Sequence, residues 1–419
     1  MVITGSTLID GTGAPPVPDS WILVQDGKFT EVSTAQRRRG MMTLARNVKV
    51  MDGSGKWIVP GFVDAHVHLD SRDDAKRMIR WGVTAARWMA EDVEKSRKRA
   101  LSSRSSLESP DLFPASPIFT APGGWWSSQG PDRRLNRFPA TPEEARESVR
   151  AAKRLGSAEI KIMDDDMGWC RDPMARLPQI RPEVFAALIA EARDLELRVA
   201  VHAPQLKDAR EAARLGSTAL AHGILDEPID AETAALLQAR RIFYVPTLDI
   251  YDFLADPRAF IARALGDSRI RESLSKQTLA LYRSDAYFET YRKRYPNSQF
   301  VADHLKTAYE NVAKVRAAGG EVALGTDMWA FPGAGLHLEL EDFVGAGLAP
   351  IEAIRAATLA SAKSLGVDAE RGSIESGKRA DFVLLENDPL RDIRNTRSIE
   401  SVYKAGRLAW SRYRRGAPQ

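Results

Sequence analysis

The sequence predicts a distorted (β/α)8 TIM barrel joined to a small composite β-sandwich that is built from both ends of the chain. Three observations lead to this fold class: strand-like and helix-like segments alternate from residue 59, eight of these segments are strand-like, and both chain ends consist of short strands and turns. The length of 419 residues suits a barrel plus a smaller unit. We expect the β-sandwich to take residues 1–58 and 367–419, and the barrel to take residues 59–366.

Short apolar segments separated by turns occupy the two ends of the chain. At the amino end, Val2–Thr4 is followed by two further strands around a hairpin turn at Asp26–Gly27. At the carboxyl end, Ala380–Leu385 and Ile399–Tyr403 have the same character. Because the two ends look alike, we expect them to form one module.

Eight strand candidates lie in the central part, and helical patterns separate several of them. The predicted strands are Phe62–His66, Val83–Trp88, Leu112–Phe119, Glu159–Met163, Arg198–His202, Thr218–Ala221, Ile242–Pro246 and Val322–Gly325. Predicted helices include one that begins at the capping sequence Thr141–Glu144, and also Val184–Leu195, Ala231–Gln238 and Ile351–Leu365. Residues Leu248–Ala318 read as a long, mostly helical insertion before the last strand, and Ser96–Ser109 as a surface helix or loop.

Composition excludes several classes of protein. The 60 Lys and Arg residues nearly balance the 56 Asp and Glu residues, so the net charge of +4 does not indicate a nucleic-acid-binding protein. A single cysteine, Cys170, excludes an internal disulfide and a metal site made of several cysteines. There is no run of about 18 apolar residues, which argues against a membrane protein. No export signal is recognisable, so a cytoplasmic location is expected.

Four of the six histidines stand at the ends of predicted strands. His66 and His68 are two residues apart, so a strand presents both on the same face. His202 and His222 end two later strands, and Asp327 follows the last one. Active sites of barrels lie at the carboxyl ends of the strands, so these side chains are expected to meet and bind a divalent cation. The alternative is a set of hydrogen-bonded core histidines.

Lys161 lies between two isoleucines in a predicted strand, which points its amine into the barrel. A buried lysine is costly unless it is paired, and burial lowers its pKa. One interpretation is an ion pair with Glu159 or Asp164. The other is a carbamate, formed when the neutral amine adds carbon dioxide, which could bridge two metal ions.

Taken together, these motifs resemble the amidohydrolase superfamily, specifically its metal-dependent imidazolonepropionase-like and prolidase-like branch. The matching segments are residues 60–68, 160–162, 202, 222, 325–327, 353–358 and 372–382. The resemblance implies two divalent ions, with zinc expected first and manganese or cobalt as alternatives. It assigns His66, His68 and Asp327 to one ion and His202 and His222 to the other, with carboxylated Lys161 and a hydroxide between them.

The resemblance also implies a reaction. The expected activity is hydrolysis of an amide-like C–N bond by the metal-bridging hydroxide, with Asp327 as the proton shuttle and His222 assisting at the carbonyl. Hydrolysis of esters, lactones, carbamates or organophosphates on the same centre is the alternative within enzymes. A catalytically silent scaffold is the alternative from another class. The expected partner is a small-molecule substrate, and the resemblance implies a homo-oligomer.

Aromatic residues follow the predicted strands and suggest the substrate. Trp125, Trp126, Tyr251 and Trp329 are expected near the metals, which favours an aromatic or bulky apolar substrate group; simple packing against the rim is the alternative. The acidic run at residues 164–166 disfavours a substrate carboxylate unless Arg133 or Arg134 offsets it. The remaining candidates, His304, His337 and Cys170, are expected to be structural or inert.

Overall fold

The structure of the chain is a computed structural model. It describes residues 1–34, 48–69, 71–89, 93–125, 127 and 135–413. The predicted substrate residue Trp126 and the predicted basic residues Arg133 and Arg134 lie outside the described residues.

The described residues form strands and helices that alternate through the centre of the chain. The strands are β1 (Val2–Leu8), β2 (Val17–Gln25), β3 (Lys28–Thr34), β4 (Val50–Asp52), β5 (Trp57–Pro60), β6 (Phe62–Val67), β7 (Val83–Trp88), β8 (Asp111–Pro114), β9 (Glu159–Met163), β10 (Arg198–His202), β11 (Ala219–Ala221), β12 (Phe243–Val245), β13 (Glu321–Val322), β14 (Phe382–Leu385), β15 (Ile399–Lys404) and β16 (Arg407–Ser411). The helices are α1 (Arg72–Arg80), α2 (Val93–Ser105), α3 (Pro142–Arg154), α4 (Pro182–Asp194), α5 (Leu206–Leu215), α6 (Ala231–Ala239), α7 (Leu248–Ala255), α8 (Pro257–Gly266), α9 (Ser268–Ser273), α10 (Lys276–Leu281), α11 (Asp285–Arg294), α12 (Ser298–Ala317), α13 (Ala334–Gly345), α14 (Pro350–Arg355) and α15 (Ser361–Leu365).

Strands from the two chain ends share one sheet. Its order is β16-β15-β14-β5-β1-β2-β3, and β4 pairs with β1. The two ends meet where β5 and β14 run antiparallel, with Phe382 opposite Pro60. Phe382 stacks on Tyr403 with ring centroids 4.5 Å apart, and both rings belong to a buried apolar cluster with Ile3 and Ile22. The ends of the chain therefore form one module, while its division into two sandwich layers and the domain limits stay predictions.

The central strands form two parallel sheets, ordered β13-β12-β11-β10-β9 and β6-β7-β8. Backbone contacts link the edges of these sheets: Phe119 bridges Ile162, and the Ala65 N–H donates to the Leu324 carbonyl at 2.8 Å. The mixed α/β fold with the predicted strand–helix alternation is present. A fully closed barrel stays a prediction.

Two predicted strands are shorter in the structure. The strand predicted over Leu112–Phe119 ends at Pro114, because Pro114 and Pro117 have no N–H to donate to a neighbouring strand. The last predicted strand, Val322–Gly325, is reduced to Glu321–Val322. There the Leu324 N–H instead lies 3.1 Å from the Ala356 carbonyl and 3.0 Å from Ser361 Oγ, so a helical segment takes the place of a strand partner.

The helix predicted over Ile351–Leu365 contains an irregular turn. Residues Ala356–Ala360 form a π-helical segment between α14 and α15. In this wider turn, the Ala356 carbonyl accepts the Ser361 N–H, the Ser361 hydroxyl at 2.7 Å and the Leu324 N–H at 3.1 Å. The segment therefore joins the helix to the strand end that carries Asp327.

The insertion before β13 is helical, as predicted, and consists of α7 to α12. The serine- and arginine-rich stretch after β7 includes α2, in agreement with its expected surface helix. Among the described residues, no helix combines the length and the apolar composition that crossing a membrane requires.

Candidate metal centre

β6 is buried along its whole length and carries the first two candidate ligands. Asp64 precedes them on the same face and fixes the strand end: it accepts hydrogen bonds from the backbone of His66 at 3.0 Å and from the hydroxyl of Thr326 at 2.9 Å. Burial raises the pKa of Asp64 to about 7. Ala65, on the opposite face, packs into an apolar cluster with Val63. The alternation of β6 therefore directs His66 inward, as predicted.

The end of β13 comes close to β6 because of a glycine. A Cβ atom at Gly325 would lie 2.8 Å from the Cβ of His66 and 2.6 Å from Cγ1 of Val245. Two residues later, Asp327 has a φ of +52° and its N–H donates to the His66 carbonyl at 2.8 Å. Its Oδ1 then lies 3.2 Å from Nε2 of His68 and 3.6 Å from Nε2 of His66. Such left-handed backbone is uncommon away from glycine and is enriched at functional sites.

His202 and His222 lie beside this group, and each is oriented by a second side chain. The ring of His222 is 4.3 Å from that of His202 and 4.8 Å from that of His66, between centroids. His202 Nε2 lies 2.8 Å from Asp165 Oδ2, and His222 Nδ1 lies 2.9 Å from Thr247 Oγ1. These contacts leave Nδ1 of His202 and Nε2 of His222 as possible ligand atoms. Metal-binding histidines are commonly held through their other ring nitrogen in this way.

Lys161 points inward from β9 and is 3 % exposed. Its Nζ has no hydrogen-bond partner among the described groups, and burial lowers its pKa to about 7. Neither carboxylate considered as a partner takes that role. Glu159 lies 3.1 Å from Nε of Arg87, and Asp164 accepts the backbone N–H of Ile180 at 3.0 Å. The ion-pair interpretation is therefore not supported.

The side chains at this point fit a metal centre. One potential ligand atom each from His66, His222 and Asp327 lies within 4.8 Å of the others. Burial lowers the pKa of His66 and His222 well below the ordinary value, which keeps the imidazoles neutral as ligation requires. All six residues predicted as ligands line one cavity of about 330 Å³: His66, His68, Lys161, His202, His222 and Asp327. Their role as ligands stays a prediction. The observation in its favour is the buried Lys161 amine, which has no hydrogen-bond partner among the described groups and would gain one from a bound group.

The structure places two of the predicted substrate residues at the cavity and one of them away from it. Trp125 and Trp329 line the cavity. Tyr251 does not: it is fully buried in α7, its hydroxyl donates to the Gly223 carbonyl at 2.5 Å, and its ring packs on Trp169. The reason is local, because the helix starts directly after β12 and turns Tyr251 beneath the cavity wall rather than into a loop.

Further cavity residues come from segments that the sequence analysis did not assign to the site. They are Ile118, Met163, Met167, Trp169, Cys170, Ile250, Leu254, Tyr291, Arg294 and Tyr295. Tyr291, Arg294 and Tyr295 belong to the insertion, around the end of α11, and only the folding of the insertion back over the strands places them here. Tyr291 and Tyr295 are one helical turn apart, so the sequence could have predicted that they share a face. It could not have predicted which site that face covers.

The acidic run after β9 has a structural role. Asp165 accepts from the Trp169 indole at 2.8 Å as well as contacting His202. Asp166 accepts from the Gly168 backbone at 2.9 Å and lies 3.0 Å from an Arg176 nitrogen. None of the carboxylates at residues 164–166 lines the cavity. The run therefore gives no reason to disfavour a substrate carboxylate.

The two remaining histidines lie away from the cavity. His337 is fully buried; its Nδ1 lies 2.9 Å from Thr396 Oγ1 and its Nε2 lies 3.0 Å from the Trp81 carbonyl. His304 Nδ1 lies 2.8 Å from the Phe300 carbonyl. Burial raises the pKa of the Cys170 thiol, which favours the unreactive form. These observations agree with the structural roles expected for them.

Comparison with known proteins gives matches along most of the chain. A dihydroorotase of Anaeromyxobacter dehalogenans is 32 % identical over 87 residues, which is 20 % of this chain and 18 % of that protein. A 5-methylthioadenosine/S-adenosylhomocysteine deaminase of Symbiobacterium thermophilum is 24 % identical over 92 % of this chain and 85 % of its own length. A solved Xaa-Pro dipeptidase with bound methionine superposes with a TM-score of 0.77 and 21 % identity, covering 98 % of this chain and 99 % of that one.

The sequence family known as the amidohydrolase family matches residues 57–409. This range begins at β5 and runs through every candidate ligand to β16. The structural likeness to the dipeptidase supports the same fold over nearly the full length. The superfamily expected from the motifs is thus confirmed, and the chain belongs to the amidohydrolase family.

Proposed function

We propose that this enzyme is a metal-dependent hydrolase of an amide C–N bond in a small substrate that carries an aromatic or bulky apolar group. The observation that supports this most directly is the convergence of four histidines, one aspartate and one buried lysine without a partner on a single cavity. Histidine and carboxylate donors suit zinc, and also manganese or cobalt.

Following the family resemblance, we assign the residues to two ions on either side of Lys161. His66, His68 and Asp327 would hold one divalent ion and His202 and His222 the other, with Lys161 as a carbamate between them. A neutral amine is needed for carbamate formation, in which the Nζ–C bond forms and one proton leaves; the pKa of about 7 favours that neutral form. When bound, such ions lower the pKa of a water molecule and polarise the substrate carbonyl.

Asp327 is placed to move the proton. Its Oδ1 faces the imidazoles of His66 and His68, and the left-handed backbone at this residue aims the carboxylate into the cavity. We propose that Asp327 takes the proton from the attacking water and returns it to the leaving nitrogen. His222, fixed by Thr247, contributes at the carbonyl side of the substrate.

Aromatic side chains make up much of the remaining wall. Trp125, Trp169 and Trp329 line the cavity together with Tyr291 and Tyr295. Trp329 stacks on Tyr291 at an interplanar angle of 12°, and its indole donates to the Tyr291 hydroxyl at 2.6 Å. A rigid wall of this kind favours a flat or bulky apolar group next to the scissile bond.

The test starts from protein that is stripped of metal and then reloaded with zinc, manganese or cobalt. The metal content of each sample is measured first. Hydrolysis is then measured with matched pairs of amides and esters that carry aryl or alkyl acyl groups. We expect up to two ions per chain and turnover of amides. Asp327→Asn should keep most of the metal and lower kcat by roughly 10²- to 10⁴-fold, whereas Asp303→Asn, on the outer insertion, should change neither.

Three results would contradict the proposal in different ways. Turnover of esters without amides would assign an esterase on the same centre. A protein that binds no metal under any loading condition would be a scaffold. An Asp327→Asn variant with near-normal kcat would remove the proton shuttle while leaving the metal centre in place.

A further inference from the structure

A second cavity adjoins the cavity that contains the candidate metal centre. It lies between the end of α7, the start of α8 and one side of α11, and its volume is about 510 Å³. Three side chains, those of Leu254, Tyr291 and Tyr295, line both cavities. These side chains all belong to the helical insertion, and they therefore form a partition between the two spaces.

The metal cavity is small for the substrate that the proposed function requires. Its volume of about 330 Å³ has to hold the metal ions, the attacking water and the amide group itself. Binding sites for drug-sized molecules usually measure roughly 300 to 1,000 Å³. A substrate with a bulky apolar group therefore needs additional space, and the second cavity provides it directly beside the centre.

The lining of the second cavity is largely apolar. Besides the three residues of the partition, it includes Ala255, Pro257, Ala286 and Phe288. Transfer of a methylene group from water to such a surface is favourable, and each one that is buried strengthens binding. This part of the molecule therefore suits a hydrocarbon chain.

The charged residues of the second cavity are already engaged. Arg258 pairs with Asp285, and Arg292 pairs with Glu289. Asp256 accepts a backbone N–H in the first turn of α8 at 3.0 Å. Among the described lining residues, no charge is left to attract an ionised group, so the occupant of this cavity is uncharged.

The partition has one member that is free to turn. The Tyr291 hydroxyl accepts the Trp329 indole N–H at 2.6 Å, and Leu254 is buried in α7. Tyr295 directly follows α11, and its hydroxyl forms no hydrogen bond with the described groups. Changes of side-chain rotamer are common when a partner binds. Rotation of Tyr295 is therefore the movement that would join the two cavities.

We propose that the two cavities form one substrate site, in which the second cavity holds an uncharged apolar chain of the substrate. This inference rests on the proposed function and adds the substrate class to it, namely long-chain amides. The amide lies in the first cavity, beside Asp327 and the metal centre. The chain continues past Tyr295 and lies along α11.

The kinetic test uses two series of uncharged amides. Acyl anilides from acetyl to decanoyl carry the chain on the acyl side, and N-alkyl benzamides from ethyl to decyl carry it on the amine side. In at least one series, kcat/KM should rise roughly three- to fourfold for each buried methylene group, until the second cavity is filled. Values of kcat/KM that do not depend on chain length in either series would overturn the inference.

Ala286→Trp tests whether the chain enters this particular cavity. Ala286 is exposed on α11 and lines the second cavity but not the metal cavity, so the larger side chain fills the space without disturbing the core. The ratio of kcat/KM for the longest chain to that for the shortest should fall roughly tenfold or more, the effect of excluding two methylene groups. An unchanged ratio would place the chain elsewhere and overturn the inference.

Thr290→Trp is the matched control. Thr290 is also exposed on α11 and lines neither of the two cavities. The ratio of kcat/KM for the longest and shortest chains should therefore stay as it is in the unchanged protein. An equal fall in Thr290→Trp and Ala286→Trp would assign the effect to α11 in general and contradict the chain site.

A binding measurement separates this inference from the proposed function. Primary alcohols from butanol to octanol have no bond that the enzyme could hydrolyse, and their binding to the metal-loaded protein is measured by calorimetric titration. Binding that tightens with chain length in the unchanged protein and in Thr290→Trp, but not in Ala286→Trp, supports the chain site even if no amide is hydrolysed. Binding that does not tighten, or that tightens equally in Ala286→Trp, contradicts it even if amides are hydrolysed.

Discussion

Asp165 shows how a single side chain outside the candidate ligand set can control the centre. One of its oxygens lies 2.8 Å from Nε2 of His202, and the same oxygen accepts from the Trp169 indole at 2.8 Å. The carboxylate therefore fixes both the tautomer and the direction of the His202 ring. It also connects the centre to a wall of the substrate cavity through Trp169.

Asp165→Asn tests this positioning. The amide has the same shape but cannot accept from both neighbours with the same strength, so His202 should lose its fixed tautomer. We expect metal affinity or kcat to fall roughly 10- to 100-fold, as for other partners of metal-bound histidines. Competition with a chelator measures the affinity. Asp172→Asn, on the exposed loop that follows, is the control, and equal affinities in the unchanged protein and in Asp165→Asn would contradict the role.

At the residue scale, the sequence was sufficient to predict the direction of side chains that lie on strands. Alternation in β6 and β9 placed His66, His68 and Lys161 on the inner face. It was not sufficient for Asp165, which was interpreted only as part of an acidic loop beside the metals, because its hydrogen bonds depend on how the loop turns back to His202. Tyr251 was misplaced for a related reason: the helical insertion was predicted to begin at Leu248, but the packing of Tyr251 against Gly223 and Trp169 depends on the tertiary structure.

α7 is the element that connects the insertion with the centre. Its first residues are held by Glu339 of α13, whose two carboxylate oxygens accept the backbone N–H groups of Leu248 at 2.9 Å and Asp249 at 2.8 Å. Thr247, which precedes the helix with a φ of +48°, contacts His222. A carboxylate at a helix start is stabilised by the unpaired N–H groups and the helix dipole. Glu339 therefore supports the position of His222.

Asp249 places a buried carboxyl group at the same helix start. It is fully buried, neither carboxylate oxygen has a hydrogen-bond partner among the described groups, and burial together with the charges of Glu339 and Asp342 raises its pKa well above the ordinary 3.8. The folded protein thus keeps a proton that the unfolded chain releases as the pH rises above 3.8. The contribution of this group to stability is complete below that pH and is lost towards the raised pKa.

Asp249→Asn should therefore stabilise the fold at high pH and not at low pH. We expect the free energy of unfolding to rise by about 1 to 3 kcal/mol at pH 8, because the amide has no proton to lose, whereas the unfolded chain with Asp249 is stabilised by ionisation of its carboxyl. The gain should shrink towards zero near pH 4. Urea unfolding at several pH values measures both. A gain that is the same at every pH would show that charge is not the cause, and Asp303→Asn serves as an exposed control.

At the element scale, periodicity and capping residues placed the four individually predicted helices to within a few residues. α3 begins after Thr141, and the Thr141 hydroxyl accepts the Glu144 N–H, as the capping sequence indicated. The prediction was less accurate for elements whose backbone forms hydrogen bonds with a segment distant in the sequence. β13 and the π-helical turn at residues 356–360 depend on each other, and neither segment shows this in its own sequence.

At the scale of the whole molecule, the order of strands followed from the sequence because each strand–helix unit is local. The way in which the chain ends join the central sheets could not be predicted from the sequence, because it depends on buried polar contacts between distant segments. Arg371 and Lys404, both from the last part of the chain, meet Asp111 at the start of β8 at 2.9 Å and 2.6 Å. All three side chains are at most 3 % exposed.

Asp111→Asn tests whether this cluster holds the terminal module against the central sheets. The substitution keeps the shape of the side chain but removes the negative charge that faces Arg371 and Lys404. Lys404 keeps its contacts, at 2.7 to 2.8 Å, with the carbonyls of Ser103, Ser106 and Ser109. We expect a loss of about 3 to 5 kcal/mol in the free energy of unfolding, the usual effect of removing one partner from a buried ion cluster. Glu147→Gln, which removes an exposed ion pair, should leave the urea midpoint unchanged. Because Asp111 is not among the residues that line the cavity, kcat of the folded fraction should also stay unchanged. A variant as stable as the unchanged protein would show that apolar packing alone joins the module to the centre.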